Sequence, residues 1–475
     1  MTTKNAKLKE PRTVSNDYYL KIGATDIFNE DFLADLSSTD DEKKKKAKSH
    51  LSERLKETRV RIGTLLKTDN VSFLIGAGAS MDAGGFGLAS IPLELEKLLH
   101  ERAVEPGNGE VTDWLVLFYK ICSILSDQTF NLRERKAILA EDLTQVHSIP
   151  INLEDYLSHL YMWQASMHGL ATKITFALAR GGNLTVSRND IDRLISETKR
   201  GLTTLADLPV SDKEGALKDH RRLIQKILTR PLNLRRANLF TLNYDTLVEK
   251  AADAEGVLLV DGFVGTLRRI FRPESYDVDF YFPAQTTEGR VHRLDRAFHL
   301  YKLHGSITWH RCEENWENPY GLYSTFYKQE TNDDVLIYPS PLKYGQTLGL
   351  PYSELFRHFG SAIAQPQSVL FTIGYGYGDA HVNTLIRQAL AIPSFTLIVV
   401  DPAPTSDFVK YLMELGDERV WLVTGTKLGS FKHFVEKLLP DLRDEEITAK
   451  VIKTYKALSH KTPDENNDTV ESADV

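Results

Sequence analysis

The chain has 475 residues, 42% of them hydrophobic and 26% charged, with a formal net charge of −7 and only two cysteines. Those values fit a soluble globular protein of two or three structural units around one large core, and they argue against a generally basic nucleic-acid-binding surface, a disulfide framework and a four-thiolate zinc site. The start, MTTKNAKLKEPRT, lacks the apolar segment of a secretory signal, and no stretch approaches about 18 uninterrupted apolar residues, so a cytoplasmic location without a membrane span is expected.

In chain order, residues 1–60 read as a polar arm. Its mixed-charge run DDEKKKKAKSHLSERLKETRVRIGTLL enters a helical pattern, read as a solvated helix face with a basic docking patch as the alternative. VSFLIGAGAS is then a short apolar run ending in glycines, and IPLELEKLLHERA places Ile91, Leu95, Leu98 and Leu99 at helical spacing: strand, glycine turn, helix. From about 100 to 235, stretches such as WLVLFYKICSILSD and LEDYLSHLYMWQASMHGLATKITFALA predict a helical insertion or module with few strands. ANLFTLN, FHLYKLHG, SVLFTIGYG and FTLIVVDP are apolar runs of strand length, each ending in a polar or glycine-bearing corner. HKTPDENNDTVESADV is acidic and poor in apolar residues, as a disordered tail is.

The expected fold is therefore α/β, a Rossmann-like parallel sheet flanked by helices, with the helical insertion at about 100–235 set within residues 61–440. An N-terminal polar, helical arm (1–60) and a C-terminal helix with the acidic tail (441–475) are expected to be peripheral. In open parallel sheets ligands bind outside the carboxyl ends of the strands. Here strand-like segments end in GAGAS, NYD, HG and GYGYGD, and a fifth ends in Asp401, so these corners converge if the strands are parallel.

Each corner has a chemical and a plain structural reading. Gly76, Ala77 and Gly78, with Ser80, form a turn whose N–H groups can approach a phosphate while the next helix presents its positive end; a purely structural turn is the alternative. Met81 stands where a third glycine of the dinucleotide fingerprint would be, and no Walker-type Lys-Ser/Thr pair is present. His304, at a strand end before Gly305, has the chemistry of a general base or of a structural histidine. Asn243 and Asp245 read as pocket residues or as turn and cap residues. His292, His299, His304 and His310 match no metal-ligand spacing, and no Gly-x-Ser-x-Gly elbow is present. Nothing activates Cys312, and Trp309 and Trp316 read as packing residues.

Taken together, the order GAGAS, TLNYD, KLHG, IGYGYGD, VVDP resembles the sirtuin-type NAD-consuming family. Gly76 to Gly84 matches that family's G-A-G-x-S-x-x-x-G, Thr241 to Asp245 its T-Q-N-x-D, and His304-Gly305 its H-G. The chain departs from the protein-deacylating branch: GFGLAS at Gly85 to Ser90 replaces Pro-Asp-Phe-Arg, and the four zinc-holding cysteines are lacking, so no zinc is expected. The large helical insertion, the Met after GAGAS and GYGYGDAHVNTLI instead resemble the bacterial antiphage-defence branch, whose members destroy NAD.

The resemblance implies an NAD glycohydrolase producing ADP-ribose and nicotinamide, with residues 61–440 as its catalytic domain and NAD+ as substrate. It implies that Asn243 orients the water or ribose, that His304 bonds ribose hydroxyls and serves as base, and that Asp245 contacts nicotinamide or its ribose. The backbone of Gly76, Ala77 and Gly78, with Ser80, would take the pyrophosphate; Gly374 and Tyr375 match the second glycine-bearing strand end near the ribose, and Asp401 would take the adenosine ribose. Asp379 and His381 are motif-like without an assigned role; a helix cap and a surface residue are their plain readings. With no ligand-reading module recognisable, a homo-oligomer controlled by a separate subunit, a HerA-type ATPase or a nucleotide-processing protein, is expected. The competing readings are a non-catalytic NAD or ADP-ribose sensor and a sirtuin-type deacylase or ADP-ribosyltransferase.

Overall fold

The computed structural model describes residues 17–28, 39–87, 90–103, 113–126, 152–167, 172–178, 182–208, 215–282, 292–325 and 349–443, with a few isolated positions among 35–36 and 128–139. Among them, nine strands form the main sheet: β1 (Tyr19–Ile22), β2 (Thr25–Asp26), β3 (Asn70–Ile75), β4 (Asn238–Thr241), β5 (Leu258–Val260), β6 (Ala297–Lys302), β7 (Ser368–Ile373), β8 (Thr396–Asp401) and β9 (Val420–Thr424). Their order is β2-β1-β9-β8-β7-β3-β4-β6-β5, parallel from β9 to β5 and antiparallel at β1 and β2. The central strands are apolar nearly throughout because both faces are covered; every residue of β7 is buried.

Alternation along each strand divides the core into two layers. Phe73, Ile75, Leu239, Phe371, Ile373, Ile398 and Val400 face one side, where they meet α1 (Asp41–Leu65), α6 (Lys218–Ile227), α7 (Leu247–Ala254) and the helical turns of Phe431–Leu438. Leu74, Phe240, Leu370, Leu397 and Val399 face the other, against α8 (Tyr352–Ile363), α9 (Ala380–Leu390) and α10 (Asp407–Leu415). A third core belongs to the helical unit: Leu95 and Leu99 of α2 (Ile91–Ala103), Leu115 and Phe118 of α3 (Asp113–Ser126), Leu157 and Leu160 of α4 (Leu153–Ser166), and Ile191 and Leu194 of α5 (Arg188–Ala206).

Two expectations are corrected, the peripheral N-terminal arm and the bounds of the helical insertion. The N-terminal arm is not peripheral: Leu20, wholly buried, sits in β1, which pairs with β9, and Ile62 and Leu66 at the end of α1 enter the main core. The helix after the glycine turn does not cover the sheet, since α2 packs within the helical unit, whereas α6, counted with the insertion, packs on the sheet. That unit also contains a hairpin, Lys173–Ala177 with Asn183–Ser187. Its first strand, KITFA, alternates exposed Lys173, Thr175 and Ala177 with half-buried Ile174 and Phe176, a period-2 pattern only five residues long. The expected C-terminal helix and acidic tail lie outside the described residues beyond Arg443. No described helix is long and apolar enough to cross a membrane.

From β3 the chain runs to β4 on one side and later returns to β7 on the other, so the strand order reverses between β3 and β7. At such a reversal the loops leave in opposite directions and open a crevice at the carboxyl edge.

Candidate functional site

Strand register places the predicted residues along that edge. Ile373, Ile75, Thr241 and Lys302 are paired across β7, β3, β4 and β6, so Tyr375, Ala77, Asn243 and His304 each stand two residues beyond one level. The ladder continues one residue further, with N–H bonds from Gly76 to Ile373, from Leu242 to Ile75 and from Leu303 to Thr241. Asn243 and His304, 61 positions apart in sequence, thus come from neighbouring strands, and their loops are joined by Ile307 N–H to the Tyr244 carbonyl at 3.1 Å.

The two glycine corners meet backbone to backbone. A Cβ on Gly76 would lie 2.5 Å from the Gly374 carbonyl oxygen, and one on Gly78 would lie 2.7 Å from the Gly374 Cα. Gly374 itself has φ +61 and would put a Cβ 2.5 Å from Ala79 N. The glycines are thus needed to seat the two loops together. Phosphate approach is not required to explain them.

The loop amides are largely spent within the fold: Gly76 donates to Ile373, Gly78 to Gly374, Ala79 to Gly76 and Ser80 to Ala77. Ala77 N–H makes no backbone bond among the described residues. The expected helix N-terminus is also not there. Two short 3₁₀ turns, Ala77–Ala79 and Met81–Ala83, follow β3, and α2 begins only at Ile91. Any anion at this loop would therefore be met by few N–H groups and no long helix dipole.

A hydrogen-bond network holds the polar corner TLNYD at the end of β4. Asn243 Nδ2 donates to the Gly76 carbonyl at 3.0 Å and to Ser80 Oγ at 2.9 Å, and Ser80 Oγ donates to Asp245 Oδ2 at 2.7 Å. A carbonyl partner requires the nitrogen, so the amide orientation is fixed and both its protons are used. What Asn243 retains for a ligand is its acceptor oxygen, a narrower role than that of a donor and acceptor together.

Asp245 is 8% exposed; Oδ1 accepts from Leu247 N–H at 3.1 Å, a turn bond two residues on, so its turn reading holds alongside its place in the network, while the cap position of α7 belongs to Thr246. Ser80, 4% exposed, holds these two side chains together through its hydroxyl. Beneath them Lys302, buried, donates to the Asp245 carbonyl and to Glu249 Oε1 at 2.8 Å. Burial raises the Glu249 carboxyl above its usual pKa, with the Lys302 ammonium opposing.

His304 is buried, and its Nε2 lies 3.0 Å from Asp379 Oδ2. Asp379 caps α9 as expected, its Oδ1 accepting from His381 N–H at 2.9 Å and Val382 N–H at 3.2 Å, but the histidine partner was not foreseen. Phe356 of α8 stacks on the His381 ring at 4.4 Å and lies 6.2 Å from the His304 ring, so His381 is half-buried rather than a surface residue. No motif announces Phe356.

Tyr375 is buried in the core, its hydroxyl donating to the Asp379 carbonyl at 3.2 Å and to Asn383 Oδ1 at 3.0 Å; burial raises its pKa well above the phenol range. Asp401 shares the edge but not the network: β8 lies two strands from β3, about 10 Å away by strand spacing. Its carboxyl accepts from Ala403 N–H at 2.9 Å, and burial raises its pKa. From Asp401 to His304 four strand spacings amount to about 19 Å, a span suited to a dinucleotide laid along the edge.

Elsewhere, a cavity of about 30 Å³ at the amino end of β4 and β6 is lined by Leu228, Arg230, Arg236 and Arg293. It is remote from this edge, and its arginines bond backbone carbonyls and Asp279. Among the described residues no cluster of three or more His, Cys, Asp or Glu side chains could hold a metal ion. Cys312 Sγ accepts from Asn318 at 3.1 Å, and Trp309 packs in the core, but Trp316, expected to pack, is 99% exposed.

No curated protein matches the chain. Residues 237–416 match the family model described as the SIR2-like domain, a stretch that begins beside β4, ends after α10 and leaves the loop at Gly76 outside it. The match spans Asn243, Asp245, His304, Gly374, Asp379 and Asp401, supports a sirtuin-like relationship, and suggests an NAD-related function.

Proposed function

We propose that the chain is an NAD glycohydrolase, cleaving NAD+ with water to ADP-ribose, nicotinamide and a proton. The observation that carries this reading is the fixed amide of Asn243, whose donors are tied to Gly76 and Ser80 and whose oxygen remains to accept, on a strand end adjacent to that of His304. When the bond from ribose C1′ to the pyridinium nitrogen breaks, its electron pair leaves with neutral nicotinamide and positive charge builds on the sugar. The protein has to place a water at that carbon and take up one proton; it has no poor leaving group to protonate.

Asn243 Oδ1 holds a proton of the attacking water and so aims its lone pair at C1′ without titrating. His304 is the neighbouring group able to accept the proton released as the C–O bond forms, or to hold the ribose hydroxyls. Ser80 and Asp245 keep the amide in place, and Lys302, bonded to the Asp245 carbonyl, fixes the loop. Asp401 would take the adenosine ribose.

Because the motif order resembles the antiphage branch of the family, the biological reading is a defence effector that depletes NAD, assembled with itself and held idle by a separate regulatory subunit, a HerA-type ATPase or a nucleotide-processing protein. Purified chain incubated with NAD+, alone and with the product of a neighbouring gene, tests the chemistry. Free ADP-ribose supports hydrolysis, label on protein indicates transfer, and binding without loss indicates a sensor. Asn243→Ala and His304→Ala should each lower NAD loss by at least about 10²-fold while the fold and assembly are preserved, although each removes hydrogen bonds within the fold and so lowers the melting temperature. Full activity in both would reject the assignment.

A further inference from the structure

We propose that Asp379 is the positioning residue for His304: it holds the imidazole proton on Nε2 and thereby presents a lone pair on Nδ1. This rests on the hydrolase reading for its consequence in turnover, but its geometry stands separately. A helix cap needs one side-chain oxygen. Asp379 uses Oδ1 for both N–H groups of α9 and turns Oδ2 to His304 Nε2 at 3.0 Å, between side chains that are 6% and 7% exposed. An ionised carboxylate only accepts, so the proton of that bond belongs to Nε2 in the neutral ring, and the basic nitrogen is Nδ1.

The surroundings hold both partners. Asp379 is pinned through its carbonyl by the Tyr375 hydroxyl, and Asn383 Nδ2 donates to the Tyr377 carbonyl at 2.8 Å, so the loop after β7 is tied to α9. Phe356 flanks the imidazole, with His381 stacked behind it. The two residues come from strands three places apart, about 14 Å by strand spacing, so their contact ties the loop after β7 to the loop after β6 across the ends of β3 and β4, where Gly76 and Asn243 stand. A cap alone explains neither the second oxygen nor the burial of the pair.

Asp379→Asn separates the two jobs. Asparagine caps a helix as well as aspartate does, and with its Oδ1 on α9 its Nδ2 must donate to His304, which drives the imidazole proton to Nδ1. In full-length chain carrying ¹⁵N-histidine, with the His304 signals identified by their absence from His304→Gln, the wild type should show Nε2 protonated and Asp379→Asn should show Nδ1 protonated. The variant's melting temperature should stay within about 2 °C of wild type, since the cap is retained. NAD turnover should fall about 10³- to 10⁴-fold, as expected when a catalytic histidine is held in the wrong tautomer. Asp379→Ser, which caps but cannot reach the ring, should lose less.

An unchanged ¹⁵N pattern in Asp379→Asn overturns the proposal, as does near-wild-type turnover in that variant when His304→Ala is inactive. If His304→Ala itself consumes NAD+ normally, the hydrolase assignment fails while the nitrogen signals still decide the tautomer. The same spectra decide it if isolated chain consumes no NAD+.

Discussion

Gly374→Ala probes the contact on which the site's geometry depends. The residue has φ +61, a conformation that costs an L-residue about 1–2 kcal/mol. Its new Cβ would lie 2.5 Å from Ala79 N and 2.7 Å from the Cα and carbonyl carbon of Gly78, all backbone atoms that cannot rotate away. Relief requires the ends of β3 and β7 to part, against the Gly78 N–H bond to the Gly374 carbonyl at 2.9 Å; overpacking of this kind costs about 1–3 kcal/mol. The expected total is about 2–5 kcal/mol, a large share of the roughly 5–15 kcal/mol that holds a domain folded.

The matched control is Gly376→Ala, two residues on in the same loop, where an added Cβ meets nothing within 4 Å, so a change within about 0.5 kcal/mol is expected. Urea unfolding of the two variants beside wild type measures the difference through the midpoint at constant slope. Because Gly374 packs against the loop after β3, which carries the Gly76 carbonyl that orients Asn243, NAD loss should fall in Gly374→Ala and persist in Gly376→Ala. Equal midpoints for the two alanine variants would refute the argument that these glycines are there for loop-to-loop contact.

Ser80→Ala removes the hydroxyl between Asn243 and Asp245, taking one hydrogen bond from the half-buried amide and the donor to the buried Asp245 Oδ2, at about 1–3 kcal/mol in urea unfolding. Its kinetic loss should fall on kcat; a loss confined to KM would instead mean that Ser80 binds phosphate. Burial lowers the pKa of His220 to about 4, with Asp245 and Asp82 opposing, so the ring is neutral in the fold and takes a proton on unfolding below about pH 6.5. Its contribution is complete above that pH and is lost as pH falls toward 4, about 3 kcal/mol in all. His220→Phe should flatten the stability profile in that window by about 1.4 kcal/mol per pH unit, and an unaltered slope would contradict a neutral buried His220.

In the helical unit, Glu96, 1% exposed, accepts from the Tyr119 hydroxyl at 2.7 Å and from Arg135 Nε at 2.8 Å. Arg135→Ala strands that carboxylate and should cost about 3–5 kcal/mol, with Arg135→Met combined with Glu96→Gln costing less; a single-variant cost below about 1 kcal/mol would show the pair to be dispensable.

What the sequence by itself determined is the alternation of apolar strands with helices and the corners at which they end. VSFLIG, LFTLN, LYKLHG, LFTIG and LIVVD are too apolar to be anything but doubly covered strands, and their polar ends fall on the edge where a parallel sheet binds ligands. Asn243, His304 and the glycine loop were legible for that reason, and each was rightly ambiguous as a single residue. Tertiary structure decided which partners each corner's side chains meet. Ser80 carries no sequence signal for its place between Asn243 and Asp245, residues more than 160 positions away, which its hydroxyl spans.

Asp379 gave a cap signal through Oδ1, whereas its second oxygen depends on a histidine 75 positions earlier that no local pattern connects to it. The Gly76 and Gly374 corners look like two separate phosphate-type turns in sequence and become one steric lock only when β3 and β7 lie side by side. Composition and period report what each segment must bury. Which polar atoms then face one another is set by strand order, and strand order is fixed by contacts between segments hundreds of residues apart.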